Sequence, residues 1–158
     1  MTKIAYLEIS PRLTGKTTRL VELARQQLEA GSHVRFVCRP RMKEEIQLRL
    51  PGATVLADGE QLPEGQEPDD GVWFYDEFDW LQSTQVREGG YYASTARYVR
   101  KLGEASPDDD VLLQLIEAKG GRFERFYWPF DMDSSIEEAR QLYTPDEFRL
   151  WFLGECFQ

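Results

Sequence analysis

Two stretches of this sequence hold residue types that handle phosphate when brought together. Residues 10–18 read SPRLTGKTT, and residues 72–78 read VWFYDEF. The first is one glycine short of the phosphate-loop pattern G-x-x-x-x-G-K-[ST], with Ser10 standing where that glycine falls. In such a loop the backbone N–H groups at a helix start point at an anion, and the helix dipole favours negative charge. Gly15 lets the backbone approach closely, Lys16 reaches the β- and γ-phosphates, and the Thr17 hydroxyl ligates Mg²⁺. The expected nucleotide-contacting set is Ser10, Pro11, Arg12, Leu13, Thr14, Gly15, Lys16, Thr17 and Thr18. A serine replaces the first glycine without loss unless that position needs a positive φ.

VWFYDEF is a buried-looking apolar run that ends in two carboxylates. A site that hydrolyses a nucleotide needs one carboxylate near Mg²⁺ and another that orients water. Asp76 is the expected metal residue beside Thr17, and Glu77 the expected catalytic carboxylate. Asp79 reads as the cap of a following helix. A third candidate is YYASTARYV, residues 91–99, where Ser94 and Thr95 at a strand end can sense the γ-phosphate. They read equally well as ordinary strand residues.

The elements that must position these groups follow from periodicity and breakers. Strands are expected at 4–9, 34–38, 53–57, 72–78, 91–99 and 122–128. Helices are expected at 17–30, 41–50, 79–88, 107–119, 135–143 and 144–157. Gly31 closes the first helix, and Pro51-Gly52 stops the second. Asp108, Asp109 and Asp110 fall in the first turn of the 107–119 helix, and Thr144 with Glu147 forms a capping box ahead of Pro145. Residues 58–71, DGEQLPEGQEPDDG, read as a surface loop. Alternating strands and helices predict an α/β fold, with a mostly parallel sheet and helices on both faces.

At 158 residues the chain suits one domain, spanning 1–158. Its 41% hydrophobic and 30% charged content is that of a folded soluble protein, and no apolar run is long enough to span a bilayer. MTKIAYLEIS is not a signal peptide, so a cytoplasmic location is expected. The formal charge of −9 argues against a broad basic face for nucleic acid; Arg35, Arg39, Arg41, Lys43 and Arg49 leave room for a local basic strip but read equally well as a solvated face of an acidic protein. Cys38 reads as a small core residue, and neither it nor Cys156 forms a C-x-x-C pair. His33 reads as a surface residue. Phe126–Phe130 carry aromatics that belong to a core or a covered interface.

Taken in order, these residues resemble the ATPase domain of the terminase large subunit, the DNA-packaging motor of tailed bacteriophages. In that family the first glycine of the loop is commonly absent and an arginine precedes the G-K-T, as Arg12 does here. YDEFDW is similar to the family's Asp-Glu motif, and ASTA stands where the family has a Ser/Thr-rich coupling motif. The ending TPDEFRLWFLGECF is similar to the segment that closes the family's ATPase domain, with Trp151 where the family has a glutamate. The resemblance implies a P-loop NTPase of the RecA/ASCE type, with an additional strand. It implies ATP and Mg²⁺ held by Lys16, Thr17 and Asp76, catalysis by Glu77, and Ser94-Thr95 as the coupling element. It also implies Arg12 as a cis arginine on the γ-phosphate. DNA, other packaging proteins such as the portal or small subunit, and further copies of the chain are the implied partners, with no membrane. A trans arginine is open among Arg97, Arg100, Arg122 and Arg125. The family's adenine-supporting N-terminal segment and C-terminal nuclease domain have no counterpart between Met1 and Gln158, so nuclease activity is not expected. Two other readings stay open on the residues alone: a small nucleoside or nucleotide kinase with 35–49 as a lid, and a non-catalytic module that binds a partner protein.

Overall fold

The computed structural model describes residues 2–101, 103–128 and 133–157. Strand and helix alternate in the order β1 (Tyr6–Ile9), α1 (Lys16–Glu29), β2 (Val34–Cys38), α2 (Lys43–Arg49), β3 (Thr54–Ala57), β4 (Val72–Asp76) and β5 (Tyr91–Ser94). Then come α3 (Val111–Ala118), α4 (Asp133–Leu142) and α5 (Pro145–Phe148). The strands form one five-stranded sheet in the order β1-β5-β4-β2-β3, and every pair is parallel. The strand that comes last in sequence, β5, is therefore inserted between β1 and β4.

Side-chain alternation sorts the strand residues onto two cores. Leu7, Ile9, Val37, Tyr75 and Tyr92 face Leu112 and Leu115 of α3. Phe36, Cys38, Val55, Phe74 and Ala93 face Leu20, Val21 and Ala24 of α1 and Ile46 of α2. Both faces are thus covered by helices, as the α/β pattern required. The two central strands are tied by stacked pairs on opposite faces, Phe74–Tyr91 at 4.5 Å and Tyr75–Tyr92 at 5.2 Å between ring centroids. Each such pair contributes about 0.5–1.5 kcal/mol beyond area burial. Cys38 lies in this core and His33 is exposed, both as expected. Among the described residues no helix is long and apolar enough to cross a membrane.

Several elements differ from the sequence expectation, each for a local reason. The helix expected at 79–88 is only a 3₁₀ turn at Phe78–Trp80 followed by irregular chain. Side chains satisfy that backbone instead: the Asp58 carboxylate accepts from the N–H groups of Gln82 and Ser83, and the Tyr92 hydroxyl accepts from Arg87 N–H and donates to the Gln85 carbonyl. The strand expected at 91–99 stops at Ser94, because the Thr95 carbonyl turns to Trp80 Nε1 at 2.9 Å and Arg97 N–H to Asp79 at 2.6 Å. The strand expected at 122–128 contributes a single parallel bridge, Glu124 to Glu8. Beyond it the chain leaves the sheet, and Phe126 N–H donates to Ser10 Oγ at 2.9 Å. The helix expected from 107 starts at Val111, with Asp110 as its N-cap accepting from Leu112 N–H at 3.0 Å, so Asp108 and Asp109 precede it. The expected 144–157 helix is α5, with its Thr144–Glu147 capping box intact, then a π-helical turn at Arg149–Leu153 that Gly154 ends at φ 69°. Of the 126–130 aromatics, Phe126 and Tyr127 are exposed, while Phe130 lies outside the described residues.

Candidate functional site

The carboxyl ends of β1, β4 and β5 converge, and the loop 10–15 runs from the first of them into α1. A parallel α/β sheet presents its ligand crevice at this edge. The loop turns through two left-handed residues, Leu13 at φ 58° and Gly15 at φ 87°. Ser10 is not among the positive-φ residues, so nothing in its backbone conformation calls for glycine. Instead it is fully buried, and its hydroxyl holds the 122–128 segment in place. Leu13 accepts the left-handed strain with its side chain 84% exposed, so it is not held there by packing.

Gly15 is the N-cap of α1 and supplies no side-chain hydrogen bond to the helix. The first N–H groups of α1 therefore open toward the crevice without a capping side chain. The loop's shape is held from beneath. Thr14 Oγ1 donates to the Pro11 carbonyl at 2.9 Å. Arg19, one turn into α1, donates to the Thr14 carbonyl at 2.6 Å and forks onto the fully buried Glu8 at 3.0 and 2.6 Å. Glu8 and Arg19 were not recognisable as site residues in the sequence; the one signal was a glutamate within the apolar run IAYLEI.

The chemical groups meet in a cleft of about 510 Å³. It is lined by residues 12–18, Asp76, Glu77 and Thr95, and also by Arg39, Arg41, Met42 and Trp80. Thr17 Oγ1 donates to Asp76 at 3.0 and 3.2 Å, so two oxygen-bearing side chains from α1 and β4 share one point. Lys16 Nζ donates to the Pro11 carbonyl at 3.2 Å and lies 3.5 Å from Glu77 Oε1. Glu77 sits at φ 55°, a second strained non-glycine residue of this site. Burial, reinforced by the neighbouring Glu77 charge, pushes the Asp76 carboxyl up to about 7, against the opposing pull of Thr17, Lys16 and Arg39.

A buried carboxylate held neutral-leaning by burial is what a cation would relieve. Thr17 and Asp76 are the oxygen donors available for one. Among the described residues no group of three or more His, Cys, Asp or Glu surrounds a common point, so a divalent ion held by Thr17 and Asp76 would need further oxygens from water or a ligand. Thr95 adds a further open group: it lines the cleft, it is 1% exposed, and its hydroxyl has no hydrogen-bond partner. Its neighbour Ser94 is engaged, accepting from Asp79 N–H at 3.3 Å and donating to the Thr95 carbonyl at 2.8 Å.

The cleft thus brings together Lys16, Thr17, Asp76, Glu77 and Thr95, while Ser10 and Pro11 lie beneath it rather than along it. Arg12 is on the rim, its guanidinium 3.9 Å from the centre of the Trp151 ring. Asp79 is not a helix cap: it takes both guanidinium nitrogens of Arg100, at 2.9 and 2.7 Å. Arg100 is buried between Asp79 and Asp110, which removes it from the exposed arginines able to reach another copy. Arg97, Arg122 and Arg125 are exposed, with Arg122 lining a different depression beside β1. The basic strip divides as well: Arg35 is buried against the Asp70 and Glu67 carbonyls and Lys43 pairs with Glu60, whereas Arg39 and Arg41 face the cleft. No protein-family model matches the chain, and no curated protein matches it either.

Proposed function

We propose that this chain is a Mg²⁺-dependent P-loop ATPase of the additional-strand type, similar to the terminase motor domain, that couples ATP hydrolysis to movement of DNA in a phage assembly. The observation that carries the reading is the Thr17–Asp76 hydrogen bond beside the Lys16–Glu77 pair. Those are four residue types with four distinct jobs on a nucleoside triphosphate, delivered by two elements to one cleft. The insertion of β5 between β1 and β4 supports the additional-strand assignment. The C-terminal segment that carries the resemblance supports it further, because it packs on the loop itself: Arg12 N–H donates to the Trp151 carbonyl at 2.8 Å.

In this reading Lys16 leaves the Pro11 carbonyl and Glu77 to bind the β- and γ-phosphates. The uncapped N–H groups of α1 take the remaining phosphate oxygens. Thr17 and Asp76 hold Mg²⁺, which when bound draws charge from the phosphoryl oxygens during transfer. Glu77, released from Lys16, accepts a hydrogen bond from water and orients it. The free Thr95 hydroxyl donates to the γ-phosphate, and its carbonyl, bonded to Trp80, passes loss of that contact to the 78–80 turn. Arg12 acts on the phosphates only by leaving the Trp151 ring.

Steady-state ATP hydrolysis by the purified chain, with and without duplex DNA, tests the reading beside Lys16→Ala and Glu77→Gln. Hydrolysis that DNA stimulates and both substitutions abolish is expected. Phosphate transfer to a nucleoside or nucleotide without release of free phosphate would assign a kinase instead.

A further inference from the structure

The cleft has more wall than a triphosphate needs. Beyond Asp76 and Glu77 it continues to Trp80, Arg39 and Arg41, and Arg97 stands outside it beside the same indole. Trp80 is fixed in place: Nε1 donates to the Thr95 carbonyl at 2.9 Å, and its N–H to the Glu77 carbonyl at 2.9 Å. The guanidinium carbons of Arg39 and Arg97 lie 5.1 and 5.7 Å from the ring centre. Elsewhere in this chain arginines lie over aromatic rings at 3.7–5.5 Å, from Arg87 on Trp73 to Arg125 on Tyr127. Arg39 and Arg97 stand toward the long end of that range, beside the indole rather than in close contact with it.

The rim is basic in an acidic chain. The chain carries −9, and several of its basic side chains are neutralised in ion pairs: Arg19 with Glu8, Arg25 with Glu22, Lys43 with Glu60, Arg149 with Glu155. Among the described residues Arg39, Arg41 and Arg97 pair with no carboxylate. Two guanidiniums beside a pinned, half-buried indole, with Arg41 lining the same cleft, suit an anion that also has a flat face.

We propose that Trp80 with Arg39, Arg41 and Arg97 is a second nucleotide subsite, in which a base stacks on the indole and its phosphate is held by the arginines. It rests on the reading that the loop side of the cleft holds a nucleoside triphosphate. The ligand is one nucleotide unit, either part of a single strand or a free mononucleotide. Base–aromatic stacking tolerates any base, and arginine supplies the phosphate contact, so the subsite is sequence-tolerant and salt-dependent. Because the same turn carries Glu77, an occupied Trp80 fixes the catalytic carboxylate, which links strand or acceptor binding to hydrolysis.

The test titrates fluorescent oligo(dT) by polarisation, and AMP and TMP by calorimetry, against wild type, Trp80→Ala, Trp80→Phe, Arg41→Ala and Arg97→Ala. A fluorescent ATP analogue is titrated separately. Oligo(dT) is expected to bind wild type together with the ATP analogue, to weaken roughly 5- to 100-fold in Trp80→Ala, and to persist in Trp80→Phe. Arg41→Ala and Arg97→Ala each lower the salt slope by about one. ATP-analogue affinity stays unchanged in Arg41→Ala and Arg97→Ala. Tight mononucleotide binding without strand binding assigns a free acceptor as the source. Wild type that binds the ATP analogue but neither oligo(dT) nor mononucleotide overturns the subsite and leaves the ATPase reading standing. Trp80→Ala that weakens only the ATP analogue also overturns it. Strand binding that needs Trp80, with no ATP-analogue binding, keeps the subsite and removes the ATPase reading.

Discussion

Lys16 Nζ lies 3.5 Å from Glu77 Oε1, so the residue proposed to bind phosphate and the residue proposed to orient water hold each other. The pair is partly screened, since Glu77 keeps about a fifth of its surface, 22%, exposed. Any nucleotide must take Lys16 away from a competing carboxylate. Glu77→Gln is therefore expected to bind ATP more tightly than wild type while losing turnover by about 100-fold or more. Lys16→Ala loses both. Separate titration with a non-hydrolysable analogue and single-turnover hydrolysis measure the split; a Glu77→Gln variant that binds more weakly than wild type would show that the ion pair does not compete.

Asp76 is expected to make the protein's stability fall as pH rises in the absence of a bound cation. Its carboxyl keeps a proton up to about 7 when folded, whereas the unfolded chain releases it near 3.8. Between those values the native state binds more protons than the unfolded state. Stability then declines as pH rises, by up to about 1.4 kcal/mol per pH unit from this group, and the full penalty is present above about 7. Asp76→Asn removes that slope and is expected to be the more stable form at alkaline pH. Urea midpoints in chelator, from below 4 to above 7, decide it. Parallel profiles for wild type and Asp76→Asn would mean that Asp76 ionises normally.

Arg100 ties three parts of the molecule together under the site. It bonds Asp79 in the turn after Glu77, Asp110 at the start of α3, and, through its N–H, the Cys156 carbonyl at 2.6 Å. Burial pushes the Asp110 carboxyl up, but hydrogen bonds and charge from Arg100 outweigh it and hold it below its ordinary value. Arg100→Ala leaves two buried carboxylates facing each other, an expected loss of about 3–5 kcal/mol at neutral pH. Lowering the pH should recover part of that loss as one carboxylate takes a proton. A loss that is small, or independent of pH, would mean that water already screens the cluster.

The sheet was readable because its strands are short, apolar and separated by strong breakers, and the cleft was readable because Gly-Lys-Thr and Asp-Glu each follow a strand. What was not readable depends on side chains that replace backbone partners. Nothing in DWLQSTQVRE announces that Asp58 and Tyr92 take its N–H groups, so a helical pattern folds as irregular chain. Nor does RFERFYW, alternating like a strand, show that Ser10 Oγ draws it off the sheet edge after one bridge. Ser10 reads as a lost glycine; in the fold it is a buried hydroxyl with its own work. Arg39 and Arg41 sit together in the sequence's basic strip, but only the fold brings Trp80, some forty residues on, to the same rim.

Gly154 is where the C-terminal segment meets the loop, and it tests whether that contact matters. Its φ is 69°, and a Cβ there would lie 2.8 Å from Pro11 Cδ and 3.1 Å from Pro11 N, the first closer than a Cβ tolerates without movement. Gly154→Ala therefore meets two costs at once. The left-handed conformation alone costs about 1–2 kcal/mol for alanine. The contact with Pro11 adds to it, because Pro11 is buried and its carbonyl already anchors Thr14 and Lys16. The loop cannot shift without moving the lysine. Gly154→Ala is expected to lose at least that much stability in urea and to raise the KM for ATP more than it lowers kcat, since the phosphate-binding side moves while Glu77 does not. Gly52→Ala is the matched control: Gly52 has the same kind of backbone, φ 99°, with nothing within 4 Å of an added Cβ. Gly52→Ala should lose stability alone, with KM unchanged. Equal KM values for the two variants would show that the C-terminal segment covers the loop without shaping it.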